Sequence, residues 1–239
     1  MAKAQGEGGG ITVPKLVDHE RRRAEIIDAT LRLVARDGLG GATMRAIAKE
    51  LGVANGAIGH YFTNQDALLA ATYEEVFART NGRAAERAAG RRGLDALLAT
   101  LRELLPMDAV TVDEARIVVC FWGRITTDER LRALLPKEHE AWTRSVQQML
   151  EQAIEDCDLS AEAEPAPLAE LLVTTVHAMQ VRAVTLPHRT PPSMQRLLIE
   201  QILKPWTEPG TSLRGRWPAD VAALHDPAEV PVDRSLLHS

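Results

Sequence analysis

Three observations predict an all-α fold for this 239-residue chain. Apolar residues recur every three or four positions through most of the sequence. Helix-starting and helix-stopping residues fall at the ends of those runs. No alternating apolar–polar segment is long enough to read as a strand. The pattern divides into an N-terminal arm at 1–17, a small three-helix head at 18–63, a larger helical body at 64–206 and a C-terminal extension at 207–239.

The first helix is expected from His19 to Asp37, capped by Asp18. Ile27, Leu31 and Val34 form its apolar stripe, widened by Ile26, Thr30 and Leu33, and Gly38 stops it. Thr43 caps a second helix from Met44 to about Leu51, with Met44, Ile47, Ala48 and Leu51 on its inner face and Gly52 at its end. A short third helix fits Asn55 to Phe62. A fourth is capped by Asn64 and runs to about Arg79, with Asp66 at its positive end.

The body continues with helices at about 93–105, 112–124, 129–156, 168–186 and 193–203. Pro136 is a start or a kink within the 129–156 run. From Pro205 onward, mixed Pro, Gly and polar residues read as a loop-like tail, either loosely packed or partly ordered.

Composition is that of an ordinary globular protein, with 45% hydrophobic and 26% charged residues. The two cysteines, Cys120 and Cys157, form no CxxC pair, so neither a zinc framework nor a disulfide array is expected. A reducing cytoplasm is the simplest setting, and MAKAQGEGGG lacks the apolar core of a signal peptide. No apolar run approaches the ~18 residues of a membrane span.

The net charge of −5 argues against nucleic acid, but its distribution does not. Between Lys15 and Lys49, eight basic residues (Lys15, Arg21, Arg22, Arg23, Arg32, Arg36, Arg45 and Lys49) face five acids, while the remainder is acidic. Arg21, Arg22 and Arg23 also oppose the positive end of their helix dipole, so a phosphate partner is a plausible gain.

The stretch ELGVANGAIGHYFTNQDALL carries the functional signal. The chain reverses between Leu51 and Asn55, with Gly52 free to adopt positive φ and Val53 plugging the gap between helices. Ile58 and Phe62 supply the packing side of the third helix. Asn55, Gly56, Ala57, Gly59, His60 and Tyr61 are left on or near the outside. Small residues there let a backbone approach closely. Asn and His can reach base edges, and Tyr can reach a phosphate. Thr43 and Arg45 on the second helix, and Asn64 and Gln65 at the start of the fourth, complete the candidate DNA-contacting set.

RRRAEIIDATLRLVARDGLGGATMRAIAKELGVANGAIGHYFTNQDALL resembles the N-terminal DNA-binding domain of the TetR family of bacterial transcriptional repressors. The features that carry the resemblance are an Arg-rich opening, G-x-x-x-T leading into I-A-x-x-L-G-V, and G-x-I-x-H-Y-F before a polar cap and A-L-L. The H-Y-F ending and a downstream F-W…W pattern look most like the choline-sensing repressors of betaine synthesis.

The resemblance implies a helix-turn-helix DNA-binding domain followed by a helical ligand-binding and dimerisation domain. It also implies a homodimer on double-stranded operator DNA, paired here through the helices near 168–186 and 193–203, and release by a small-molecule effector. Leu171, Leu172, Thr175, Leu197, Leu198 and Ile202 are the candidate pairing residues. The chain departs from the family pattern at Ala54, Gly59 and Gln65. There the family often has a hydroxyl residue, an aromatic and a lysine, and Asn55 is the substitute cap.

Candidate effector-pocket residues are Tyr73, Cys120, Phe121, Trp122, Arg124, Trp142, Met149, His177 and Met179. With aromatics at only 4% of the chain, two Trp and a Phe on adjacent helices suit a cage for a cationic or flat ligand. Arg124 and Arg182 leave an acidic ligand as the alternative.

No enzymatic activity, metal or cofactor is expected. HExxH, P-loop, GxSxG and GxGxxG are absent from the sequence, and the consecutive Glu138, His139 and Glu140 diverge around a helix. The rival function is a helical small-molecule-binding or adaptor protein whose head does not bind DNA.

Overall fold

The computed structural model describes residues 13–126 and 128–222. These residues divide into two compact units, a head ending at Thr72 and a body beginning at Tyr73, so the division falls inside the fourth helix.

In the head, α1 (Val13–Gly41) begins earlier than the Asp18 cap predicts. Pro14 is tolerated in a first turn, where its missing N–H has no partner to lose, and Asp18 instead accepts from Arg21 at 2.7 Å within the helix. The first twelve positions of the predicted arm lie outside the described residues. Gly38, at φ 72° and ψ 179°, breaks the helical path near the expected stop. The predicted stripe is the buried one, with Ile26, Ile27, Thr30, Leu33 and Val34 all enclosed.

Thr43 caps α2 (Met44–Glu50), accepting from the Ala46 amide at 3.2 Å. The turn that follows is a Schellman close. Gly52 at φ 68° donates to the Lys49 carbonyl at 3.1 Å, and Val53 donates to the Ala48 carbonyl at 3.0 Å.

Helix α3 (Asn55–Ile58) is shorter than predicted, and 59–61 form a turn. Its N-cap is Ala54, with no side-chain bond, so Asn55 is the first helical residue and not the cap. Two glycines and an uncapped start give this segment little intrinsic helix stability. It is held by its inner residues Ile58 and Phe62, which are buried, and Arg23 lies over the Phe62 ring at 4.9 Å. Asn64 caps α4 (Gln65–Ala88) by accepting from Ala67 at 2.8 Å.

The body is built around α5 (Gly93–Leu104), whose Leu94, Leu97, Leu98 and Leu101 are fully enclosed. It packs on α7 (Glu129–Glu155), and α8 (Pro165–Thr185) packs on both α7 and α6 (Ala109–Ile125). Pro136 sits inside α7, and the helix continues through it. Helix α9 (Pro192–Leu203) packs beside α8. Buried charge in this unit is paired: Glu103, only 4% exposed, receives Arg83 at 2.8 Å and also Arg87.

Helix α7 closes with Cys157 at φ 58°, donating to Ile154, while Asp158 donates to Ala153. This is the place in a Schellman close that glycine fills without a Cβ penalty. Cys157→Gly is therefore expected to raise the unfolding free energy by about 0.5–1 kcal/mol, read by chemical denaturation.

Of the two alternatives for the tail, residues 207–222 take the ordered one. Leu213, Trp217 and Val221 are buried, and α10 (Ala219–Ala222) follows a single-turn 3₁₀ segment. Arg102 donates to Asp220 at 2.8 Å, Arg216 pairs with Asp158 at 2.5 Å, and Glu208 N–H donates to the Asp158 carbonyl at 3.1 Å. The segment is a strap across α5, α9 and the end of α7. Its apolar residues recur every four positions, so one side of the chain can bury even though prolines interrupt it. Positions 223–239 of the predicted extension lie outside the described residues.

Candidate functional site

Asn55, Gly56, Gly59 and His60 are exposed, and Ala57 and Tyr61 are half-buried. The Tyr61 ring lies against His19 with centroids 4.7 Å apart and planes tilted by 36°. A Cβ built on Gly56 meets no atom within 4 Å, and one on Gly59 meets only the Gly56 carbonyl oxygen at 3.4 Å. Packing within the chain therefore requires neither glycine. What both leave bare is the outward face.

On α2, Thr43 and Arg45 are exposed, though the Thr43 hydroxyl is already engaged as the cap. Arg21 and Arg22 are exposed and pair with Asp18 and Glu25 one turn away along their own helix. Such surface pairs are worth about 0–1 kcal/mol, so a phosphate can replace the carboxylate at little cost. The Asn64 side chain caps α4. Gln65 donates to the Ala42 carbonyl at 3.1 Å, clasping the start of α4 to the α1–α2 turn.

Within the body, a cavity of about 500 Å³ lies between α4, α6, α7 and α8. Of the candidate effector-pocket residues, Tyr73, Trp122, Trp142 and His177 line it. Rings meet around the cavity in sequence. Tyr73 lies 4.7 Å from Phe77, Phe77 lies 5.3 Å from Trp142, and Trp122 meets His177 edge-on at 5.6 Å. His177 also stacks on Trp142 and on His139, each at 6.0 Å. The Trp142 indole N–H donates to Asn81 at 2.6 Å, and His139 Nε2 lies 3.1 Å from Glu170.

Other candidates lie elsewhere. Phe121 is fully buried against the Tyr73 ring at 5.1 Å, and Met179 is buried. Cys120 is half-buried and outside the lining, and Arg124 lies 3.8 Å from Asp128. Met149 lines a separate, smaller cavity.

Sequence reasoning missed Phe77, Val118, Ile125, Pro136 and His139. Two of these had a signal. Phe77 falls four residues after Tyr73, and His139 falls three before Trp142, which places each on its neighbour's helix face. Among the described residues, no cluster of three or more His, Cys, Asp or Glu could hold a metal, and no helix is long and apolar enough to cross a membrane.

Burial, and secondarily the neighbouring His139, pushes the His177 pKa below its ordinary 6.5. The imidazole is thus neutral at pH 7. Below pH 6.5 the unfolded chain binds the proton more readily than the folded one, so stability is full above 6.5 and falls as pH drops through the interval down to the folded value.

Comparison with known proteins agrees with this division of labour. Residues 26–72 match the family model of bacterial regulatory proteins of the tetR family, and residues 93–205 match the C-terminal domain of BetI-type transcriptional repressors. The HTH-type transcriptional regulator PksA of Bacillus subtilis (strain 168) is 30% identical over 181 residues, which cover 74% of this chain and 85% of that protein. The HTH-type transcriptional regulator BetI of Burkholderia mallei (strain NCTC 10229) is 35% identical over 127 residues, covering 51% of this chain and 64% of that protein.

In structure, a transcriptional regulator from Saccharomonospora viridis, solved in complex with choline, superposes with TM-score 0.73 at 17% identity over 79% of this chain and 99% of that one. A regulator from Rhodococcus sp. Rha1 gives 0.68 at 24% identity over 77% and 95%. The chain belongs to the TetR family of ligand-responsive, DNA-binding transcriptional repressors, with a BetI-type C-terminal domain.

Proposed function

We propose that this repressor acts in the cytoplasm as a homodimer paired through α8 and α9, and that a hydrophobic cation of quaternary-ammonium type, held in the aromatic cavity, releases it from its operator. The observation that carries the cation is the cavity wall. It combines four aromatic rings with two imidazoles and has no charged side chain among its described lining residues. Aromatic faces attract a desolvated cation electrostatically, by about 2 kcal/mol or more per buried contact. The solved regulator bound to choline supports the same chemistry. Arg124 and Arg182, the cations that would have favoured an acidic ligand, both lie outside the lining, and Arg124 is near Asp128.

Pairing through α8 and α9 is supported by Leu171, which is 50% exposed, and by half-exposed Thr175, Leu197, Leu198 and Ile202 on the same two helices. Leu172 belongs to the chain's own core and is fully buried. The contacts proposed on DNA are base edges for Asn55, His60 and Arg45, and phosphates for Arg21, Arg22, Tyr61 and the backbone near Gly56.

Tetramethylammonium and choline are expected to quench Trp122 and Trp142 emission saturably, and to weaken retention of a DNA fragment in a gel-shift assay. Equal quenching and release by benzoate would contradict a cation site.

A further inference from the structure

We propose that the effector site has a second, aliphatic compartment, sharing the Trp142 wall with the aromatic cavity, which takes the unbranched hydrocarbon arm of a long-chain quaternary ammonium compound. The proposal rests on the cationic reading of the aromatic cavity and extends it.

The smaller cavity, about 230 Å³, opens between α4 and α7 and is floored by α5. Its walls are Ala84, Ala85 and Ala88 on one side and Ala141 and Ser145 on the other. Thr100 and Leu104 form the floor. The Thr100 hydroxyl faces Met149 Sδ at 3.7 Å, so the one hydroxyl of the floor is turned to a thioether in the wall.

Trp142 lines both cavities. Its indole is held by the 2.6 Å bond to Asn81, whose side chain also lines the smaller one, so the ring is a fixed wall common to both. The larger cavity offers π-faces suited to a cation. Among its described lining residues, the smaller has no aromatic ring besides Trp142 and no charged side chain, which suits a saturated chain. The larger compartment alone falls within the ~300–1,000 Å³ typical of drug-sized ligands, so the pair accommodates an effector longer than a bare headgroup.

The test is calorimetric titration of the full chain with alkyltrimethylammonium ions, from methyl to octyl, each below its micelle concentration. Affinity is expected to rise roughly fourfold per added methylene until the compartment is filled, and then to level off. Ala85→Leu and, from the opposite wall, Ser145→Leu fill the compartment. In each the rise with chain length is expected to stop several carbons earlier. Thermal melting of each variant verifies folding, and two positions are used so that one misfolded variant does not decide the matter.

A flat series with tetramethylammonium still bound overturns the second compartment and leaves the cation site standing. An unchanged chain-length dependence in both folded variants overturns it as well, because the arm then lies elsewhere. If no member of the series binds, the cation site itself is wrong, and the compartment falls with it.

Discussion

Gly56→Leu is expected to weaken operator binding a hundredfold or more while leaving the head at least as stable as before. Gly56 lies in α3 at an ordinary negative φ, and a Cβ there meets nothing within 4 Å. Leucine therefore enters without strain. It gains up to about 1 kcal/mol of helix propensity over glycine, somewhat less in a first turn. The same side chain would stand at an exposed position beside Asn55, where it holds the backbone away from the groove. Each base contact so lost is worth about 1–3 kcal/mol, counted twice in a symmetric dimer. The expected loss is therefore a hundredfold or more in affinity, alongside an unchanged or higher melting temperature. Parallel DNA titration and thermal unfolding of the same sample check both halves. Undiminished DNA binding by a folded variant would remove α3 from the interface.

Trp217→Ala is expected to be the most destabilising single substitution in the strap. The ring is 4% exposed, and its indole N–H donates to Glu200 at 3.0 Å. Truncating a buried Trp costs about 3–5 kcal/mol. For a chain of this size that corresponds to a fall in melting temperature of roughly 6–20 °C. The loss spreads because neighbouring Asp220 and Val221 satisfy buried cations. Asp220 accepts from Arg102 at 2.8 Å, and the Val221 carbonyl accepts from Arg196 at 3.4 Å. The half-exposed Trp206 serves as the control, and its replacement by alanine is expected to cost much less. A change below about 1 kcal/mol at Trp217 would mean that the strap does not hold the body together.

Much of the head was legible in the sequence because its signals are local. The stripe of α1, the Thr43 cap and the Gly52 reversal each depend on residues within a few positions of one another. The extent of α3 was not legible. A glycine-containing turn from 59 to 61 keeps the same inward spacing of Ile58 and Phe62 that a continuous helix would give. The start of α1 was misplaced because Asp18 satisfies the capping pattern equally well inside a helix, where it pairs with Arg21.

In the body, the aromatic cavity could be partly read because its Trp residues are scarce. Phe77 and His139 were within reach through helical spacing, whereas Val118, Ile125 and Pro136 are indistinguishable from core residues until the helices are packed. The strap was hidden by its prolines, although Leu213, Trp217 and Val221 kept a four-residue rhythm. The BetI-type match ends at residue 205, ahead of the strap.

The most direct test of the account is binding of the full chain to duplexes selected from a random pool, titrated at two salt concentrations with and without a quaternary ammonium ion. The account predicts two chains per selected site and an affinity that drops steeply with salt as phosphate contacts displace counterions. It also predicts a further loss when the cation is added. Selection of no sequence, binding as a single chain, or complexes indifferent to both salt and cation would contradict it.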